Sequence, residues 1–197
     1  MQTPEVLIAG LDEVGRGSWA GPVVAAAVVF HRALKLPGLK DSKLMTAKRR
    51  EFIYEILIKK AHVGVGMASH EEVDQFGLLH ATFKAYERAL EALPVVPTKL
   101  LIDGRDKFFF AIPHQSIIRG DQKVRVISAA SVVAKVTRDR LMVELAETYP
   151  NYHFEDHKGY GTRKHQARLK TFGPSPIHRI SYAPLKALKC EQLEFLS

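Results

Sequence analysis

GLDEVGRGSWAGP, residues Gly10 to Pro22, stands between two apolar runs, Val6 to Leu11 and Val23 to Phe30, that both read as buried strands. Asp12 and Glu13 therefore fall where a strand gives way to a glycine-rich turn. Neighbouring side chains on a regular strand point to opposite faces, so both carboxylates serve one site only if the pleat ends or bulges there. Gly15 and Gly17 are a natural place for such a break, and with Arg16 between them they offer a bare, cationic backbone that a ligand can approach closely. Acid beside such a loop points to a metal and a phosphate-bearing partner. The plainer reading stays open, because Asp and Gly also end strands simply as turn residues. Gly15, Gly17 and Ala20 also fit the G-x-G-x-x-A dinucleotide fingerprint. That motif must open a helix, whereas Gly21, Pro22 and the strand-like VVAAAVVF follow here, and two carboxylates ahead of the glycines would repel a diphosphate. The nucleotide-fold reading is the weaker one.

At 197 residues and 46% hydrophobic, the chain has enough apolar content for one α/β domain with a full core, spanning 1–197. A net charge of +8 favours a polyanionic partner. Cys190 is the sole cysteine, which excludes an internal disulfide and any multi-cysteine zinc site and fits a reducing compartment. No apolar run reaches membrane-spanning length and the N-terminal residues lack the pattern of a secretory signal, so the expectation is a soluble, cytoplasmic protein with no membrane partner.

Beyond the second strand, Pro37 and Gly38 mark a turn, and Ser42 or Thr46 caps a helix expected from about Ala47 to Lys59. Lys43 in the DSK triplet before that helix is either a phosphate contact or a solvated loop lysine. A glycine-alternating strand, His62 to Ser69, precedes a helical region in which Phe76, Leu79, Phe83, Tyr86 and Leu90 recur at three- and four-residue spacing, as a face covering the sheet does. The strand Lys99 to Ile102 ends in Asp103 and Gly104, repeating the arrangement at Asp12, and the strand Gln115 to Arg119 leads into Gly120 and Asp121. Ligands gather at the carboxyl ends of strands in open α/β sheets, and several carboxylates crowded there carry a repulsion that a divalent cation removes. Val126 to about Tyr149 is the strongest helix, with a small-residue face; Lys135 and Arg138 on it are phosphate contacts or solvated charges.

The remaining residues, about 150–197, are rich in Gly, Pro, His, aromatic and basic residues and read as a loop and helix laid over the sheet. His153 and His157 have a possible zinc-ligand spacing, but with no cysteine and no further ligand pattern they read as surface or core histidines. Tyr160, between Gly159 and Gly161 in a basic setting, is either a ring that stacks on a base or sugar or a core tyrosine flanked by turn glycines.

Taken together, DEVGRG at Asp12 to Gly17, DSK at Asp41 to Lys43, IDG at Ile102 to Gly104, GD at Gly120 and Asp121, SAASVVAKVTRDR at Ser128 to Arg140 and HKGYGT at His157 to Thr162 resemble bacterial ribonuclease HII, a type 2 ribonuclease H, over about Val6 to Lys186. The resemblance implies a ribonuclease H-like α/β fold: a five-stranded mixed sheet flanked by helices, with a C-terminal helical extension. It implies Mg²⁺ or Mn²⁺ held by Asp12, Glu13, Asp103 and Asp121, and hydrolysis of RNA in RNA/DNA hybrids and at ribonucleotides embedded in duplex DNA, leaving a 3′-hydroxyl and a 5′-phosphate. Gly15, Arg16 and Gly17 match the loop that reads the ribose 2′-hydroxyl, Tyr160 the residue that stacks on the deoxyribose at an RNA to DNA junction, and Lys43 a phosphate-contacting position. One departure is HRISYAP at His178 to Pro184, where the family usually has HRRSFAP; the lost arginine and the Phe to Tyr change put a backbone contact in question. No long basic extension follows the matched region, so a partner-binding tail is not expected; a monomer is the expected state. Two other classes, a hybrid-binding protein without activity and a phosphotransferase on the same acidic site, would be separated from the nuclease by a cleavage assay.

Overall fold

The computed structural model describes residues 6–30, 34–36, 38–39 and 45–194, so Lys43 and the DSK triplet lie outside the described residues. A five-stranded sheet has the order β3-β2-β1-β4-β5, with β1 Ile8–Val14, β2 Val23–Val29, β3 His62–Ala68, β4 Lys99–Asp103 and β5 His114–Ile117. It is mixed, since β1 runs antiparallel to β2 and parallel to β4, and β4 runs parallel to β5. The chain divides into two compact units, 1–14 with 24–67 and 83–137, and 15–23 with 68–82 and 138–197.

In the first unit β1 is the central strand and is buried along most of its length. Its parallel register pairs Ile8 with Lys99 through Leu11 with Ile102, and the next step of the same offset brings Asp12 level with Asp103. The pleat neither breaks nor bulges at the two acids: the ladder with β2 continues in regular register through Asp12↔Ala26, Glu13↔Ala25 and Val14↔Val24. Asp12 and Glu13 therefore leave opposite faces of the strand. The α5 helix, Arg125–Thr148, covers the Asp12 face. It comes so close that a Cβ on Gly10 would lie 2.3 Å from the Val126 carbonyl carbon, so only glycine fits there. Ala129, Ala130, Val133 and Ala134 of α5 share a core with Ala26, Val28, Ile53 and Leu57. The last two belong to α1, Ala47–Lys60, whose N-cap is Thr46.

The helical region after β3 is two helices, α2 His70–Phe76 and α3 Leu78–Glu91, parted at Gly77, whose φ of 83° no helix accommodates. Its buried face also differs from the expected one. Phe76 and Leu79 are 51% and 52% exposed, while Ala81, Thr82, Ala85, Tyr86 and Ala89 are buried. Small residues are selected because α3 lies against the glycines of β3: a Cβ on Gly64 or Gly66 would come within 2.1 Å or 2.2 Å of the Ala89 or Ala85 carbonyl oxygen. The strand β5 stops at Ile117, earlier than expected, and Asp121 sits on a short helix, α4 Gly120–Lys123, entered through Arg119 at a φ of 55°.

The second unit has its own core, in which Ala20, Met142, Tyr152, Phe154, Leu169 and Ile177 are buried together. Its helices beyond α5 are α6 Phe154–His157, α7 Arg163–Phe172 and α8 Ala183–Glu194.

Candidate metal centre and substrate-reading loop

Asp12, Asp103 and Asp121 each offer a carboxylate oxygen, and the three oxygens lie within 4.8 Å of one another. Each arrives by a different route. Asp12 comes from the C-terminal half of β1 and Asp103 from the end of β4. Asp121 is brought in by α4, which Asp103 itself holds: its Oδ1 accepts the backbone N–H of Gly120 at 2.6 Å and of Asp121 at 3.3 Å. Ser128 fixes the same turn from α5 by donating its hydroxyl to the Asp121 carbonyl. Asp12 and Asp121 are only 5% and 4% exposed. Burial, with Glu13 and Asp103 adding repulsion, pushes the Asp12 carboxyl well above the usual carboxylate range, against the opposing hydrogen bond from Ser131.

An oxygen-only donor set of buried, mutually repelling carboxylates fits a hard divalent cation such as Mg²⁺ or Mn²⁺. The only other acidic grouping among the described residues, His153, Glu155 and Asp156, is more exposed, and Lys164 is already bonded to Asp156. The zinc spacing of His153 and His157 is not realised as a ligand pair, because His157 is buried with Nε2 on the Tyr152 carbonyl at 2.9 Å.

Glu13 is not part of the three-oxygen group. Its carboxylate instead accepts the hydroxyl of Tyr86, a fully buried residue of α3. Sequence periodicity counts Tyr86 as one apolar member of a helix face and gives no sign of this role. Burial first, then the charges of Glu13 and Asp12, raise the Tyr86 hydroxyl well above its usual range, so it remains a neutral donor.

Within the second unit, the loop Gly15 to Pro22 is tied down by two buried arginines. Arg138 donates to the carbonyls of Pro22 at 3.0 Å, Ala20 at 3.1 Å and Lys158 at 2.9 Å and to the Ser18 hydroxyl at 2.7 Å. It is neither a phosphate contact nor a solvated charge; burial lowers it to about 10. Arg179 donates to the Gly21 carbonyl at 2.8 and 3.0 Å and to the Arg16 carbonyl at 3.0 Å. Tyr182, one of the two residues by which HRISYAP departs from the family pattern, donates its hydroxyl to the same Arg16 carbonyl at 2.6 Å, a bond that phenylalanine cannot make. Here the departure adds a contact to the loop.

The two glycines of the loop have different reasons to be there. Gly15 has a φ of 94°, and a Cβ on it would lie 2.3 Å from Arg138 Nε; a Cβ on Gly17 would meet nothing within 4 Å. Tyr160 bridges in β fashion to Ser18, and its half-buried ring lies 5.4 Å from the Arg138 guanidinium.

Three buried histidines support Tyr160 from below. The rings of His157 and His165 stack at 4.4 Å, and His165 Nε2 lies 2.9 Å from His178 Nε2. The partners fix every proton. His165 Nδ1 donates to the Tyr160 carbonyl, so its Nε2 accepts from His178 Nε2–H, and His178 Nδ1 accepts from the Ser175 N–H. All three rings are neutral; burial, then the neighbouring histidines, lower His165 to about 4 and His178 to about 3. Folded-state values below the unfolded 6.5 mean that the unfolded chain binds more protons between them. Stability is full above about pH 6.5 and is lost as pH falls toward 4 and then 3. Melting temperature followed from pH 8 to 4 should fall steeply below 6.5, and His178→Asn should flatten that slope by up to one proton. An identical slope in the variant would refute the cluster's role in acid sensitivity.

Carboxylates brought together by neighbouring parallel strands of a mixed sheet, with an oxygen-only donor set, are what a metal-dependent nuclease of the ribonuclease H-like class requires. The ribonuclease HII family pattern matches residues 9–185. The chain is 46% identical to ribonuclease HII of Burkholderia cenocepacia over 93% of its own length and 86% of that protein's. It is 48% identical to the Burkholderia pseudomallei protein with the same coverage. Among solved structures, ribonuclease H2 of Pyrococcus horikoshii superposes with a TM-score of 0.80 at 26% identity, covering 94% of this chain and 98% of that one. The chain belongs to the ribonuclease HII family, whose members are metal-dependent endoribonucleases acting on the RNA of RNA/DNA hybrids.

Proposed function

We propose that this chain hydrolyses RNA in RNA/DNA hybrids and also at single ribonucleotides embedded in duplex DNA, leaving a 3′-hydroxyl and a 5′-phosphate, and that it works as a cytoplasmic monomer. The observation that carries the reading is the triad of Asp12, Asp103 and Asp121 oxygens within 4.8 Å. With Glu13 these residues would hold Mg²⁺ or Mn²⁺. Two such ions would activate a water and stabilise the leaving oxygen. The chain's own part is to fix the donors. Burial of Asp12 keeps bulk water from screening its charge, and the backbone bonds to Asp103 set the place of Asp121.

The loop Gly15 to Gly17 follows Glu13 closely in sequence and reads the ribose 2′-hydroxyl, the group that separates RNA from DNA. The open space at Gly17 supports this assignment for Gly17 and the Arg16 backbone, whereas Gly15 serves through Arg138. Tyr160 stacks on the following deoxyribose, its ring steadied by Arg138.

The decisive test is cleavage of a long hybrid and of duplex DNA carrying one ribonucleotide, with and without Mg²⁺ or Mn²⁺, with analysis of the product ends. Binding without cleavage would identify a hybrid-binding protein, and transfer of phosphate to another acceptor a phosphotransferase. Tyr160→Ala should cost about ten- to a hundredfold in kcat/KM at the single ribonucleotide, from a stacking contact of about 1 to 3 kcal/mol, and less on continuous RNA. Equal losses on both substrates would remove the junction-reading role from Tyr160.

A further inference from the structure

We propose that Tyr86 is a positioning residue for the metal centre, its hydroxyl holding one oxygen of Glu13 so that the other is presented to a divalent cation beside Asp12. The inference rests on the metal-site reading above. It begins from the unbroken pleat: Glu13 leaves β1 on the face opposite Asp12, so it needs a partner there to keep its long side chain turned toward the strand end. A free glutamate has many rotamers to lose when fixed, and Tyr86 fixes it before any cation arrives.

The tyrosine is itself immobilised. Phe108 meets its ring edge-on at 5.4 Å and Phe110 at 6.5 Å. Phe83 lies against both, 5.8 Å from Phe108 and 5.1 Å from Phe110. The run of three phenylalanines after β4 is thereby accounted for at its two outer positions, which enclose Tyr86, while Phe109 is 87% exposed. A hydroxyl suits the task better than lysine or arginine would. It restrains the carboxylate without neutralising the negative charge on which cation binding depends.

The test is Tyr86→Phe, which keeps the ring and removes only the donor. Mn²⁺ affinity, measured by electron paramagnetic resonance or by calorimetry on the protein alone, should weaken about tenfold, as for other residues that orient a ligand. kcat should fall at subsaturating Mn²⁺ and recover in part at saturation, with KM for the hybrid unchanged. In a Glu13→Gln background the same substitution should change Mn²⁺ affinity no further, because the effect runs through Glu13. Unchanged Mn²⁺ affinity in Tyr86→Phe, or an equal loss in both backgrounds, would overturn the proposal. Asp12→Asn is the control: if it loses Mn²⁺ while Tyr86→Phe does not, the role of Tyr86 alone is wrong. If it binds Mn²⁺ like the wild type, the metal site is wrong and the role of Tyr86 falls with it.

Discussion

Asp103→Asn should lower hydrolysis of an RNA/DNA hybrid by roughly a thousandfold or more, since several kcal/mol of transition-state stabilisation depend on the bound cation at about 1.4 kcal/mol per decade. The fold should survive, because the Oδ1 that accepts the Gly120 and Asp121 amides has a counterpart in the asparagine amide oxygen. Metal-free protein should melt no lower than wild type, and higher if relief of repulsion on Asp12 dominates. Adding Mn²⁺ at about a hundred times its dissociation constant stabilises a protein that binds it by about 2.7 kcal/mol, an increment the variant should largely lack. Two results together decide the matter: hybrid turnover and melting temperature with and without metal. A variant that melts far below wild type without metal would make Asp103 a structural residue.

Arg138→Met should destabilise the second unit by about 3 to 5 kcal/mol, since several buried acceptors lose their donor at about 1 to 3 kcal/mol each. Removal leaves the carbonyls of Pro22, Ala20 and Lys158 and the Ser18 hydroxyl without their donor. Arg138→Lys should not rescue, because one ammonium cannot reproduce a planar fork that serves four acceptors. Hydrogen exchange checks this at residue level: amides of Trp19 and Gly21, bonded to Gly159 and Ile177, should lose protection first. A loss of under about 1 kcal/mol would mean that water replaces the guanidinium without cost.

The strands and the three aspartates were legible because their signals are local. An apolar run that ends in an acid close to a glycine announces both the strand and the carboxylate at its exit, and Asp12 and Asp103 come level on neighbouring parallel strands. Glu13 was half legible. The alternation rule required a broken pleat for it to join Asp12, and the structure keeps the pleat and turns Glu13 onto Tyr86. Nothing near Tyr86 in sequence carries that information, since its partner is 73 residues away. Arg138 misled for the same reason: periodicity along α5 sees neighbours three and four apart, while its acceptor Ser18 is 120 residues distant. Gly15 and Gly17 looked alike in sequence because both lack a side chain, and only the surroundings separate the one packed on Arg138 from the one facing open space.

The carbonyl of Arg16 is gripped by Arg179 and Tyr182, 163 and 166 residues later in the chain. On the ribosome the loop is therefore made long before the residues that complete it. Elongation across those 166 residues at about 5 to 20 residues per second leaves it without its clamps for roughly 8 to 33 seconds. For that interval a nascent chain holds the loop unclamped, even after Asp12, Asp103 and Asp121 have all been made.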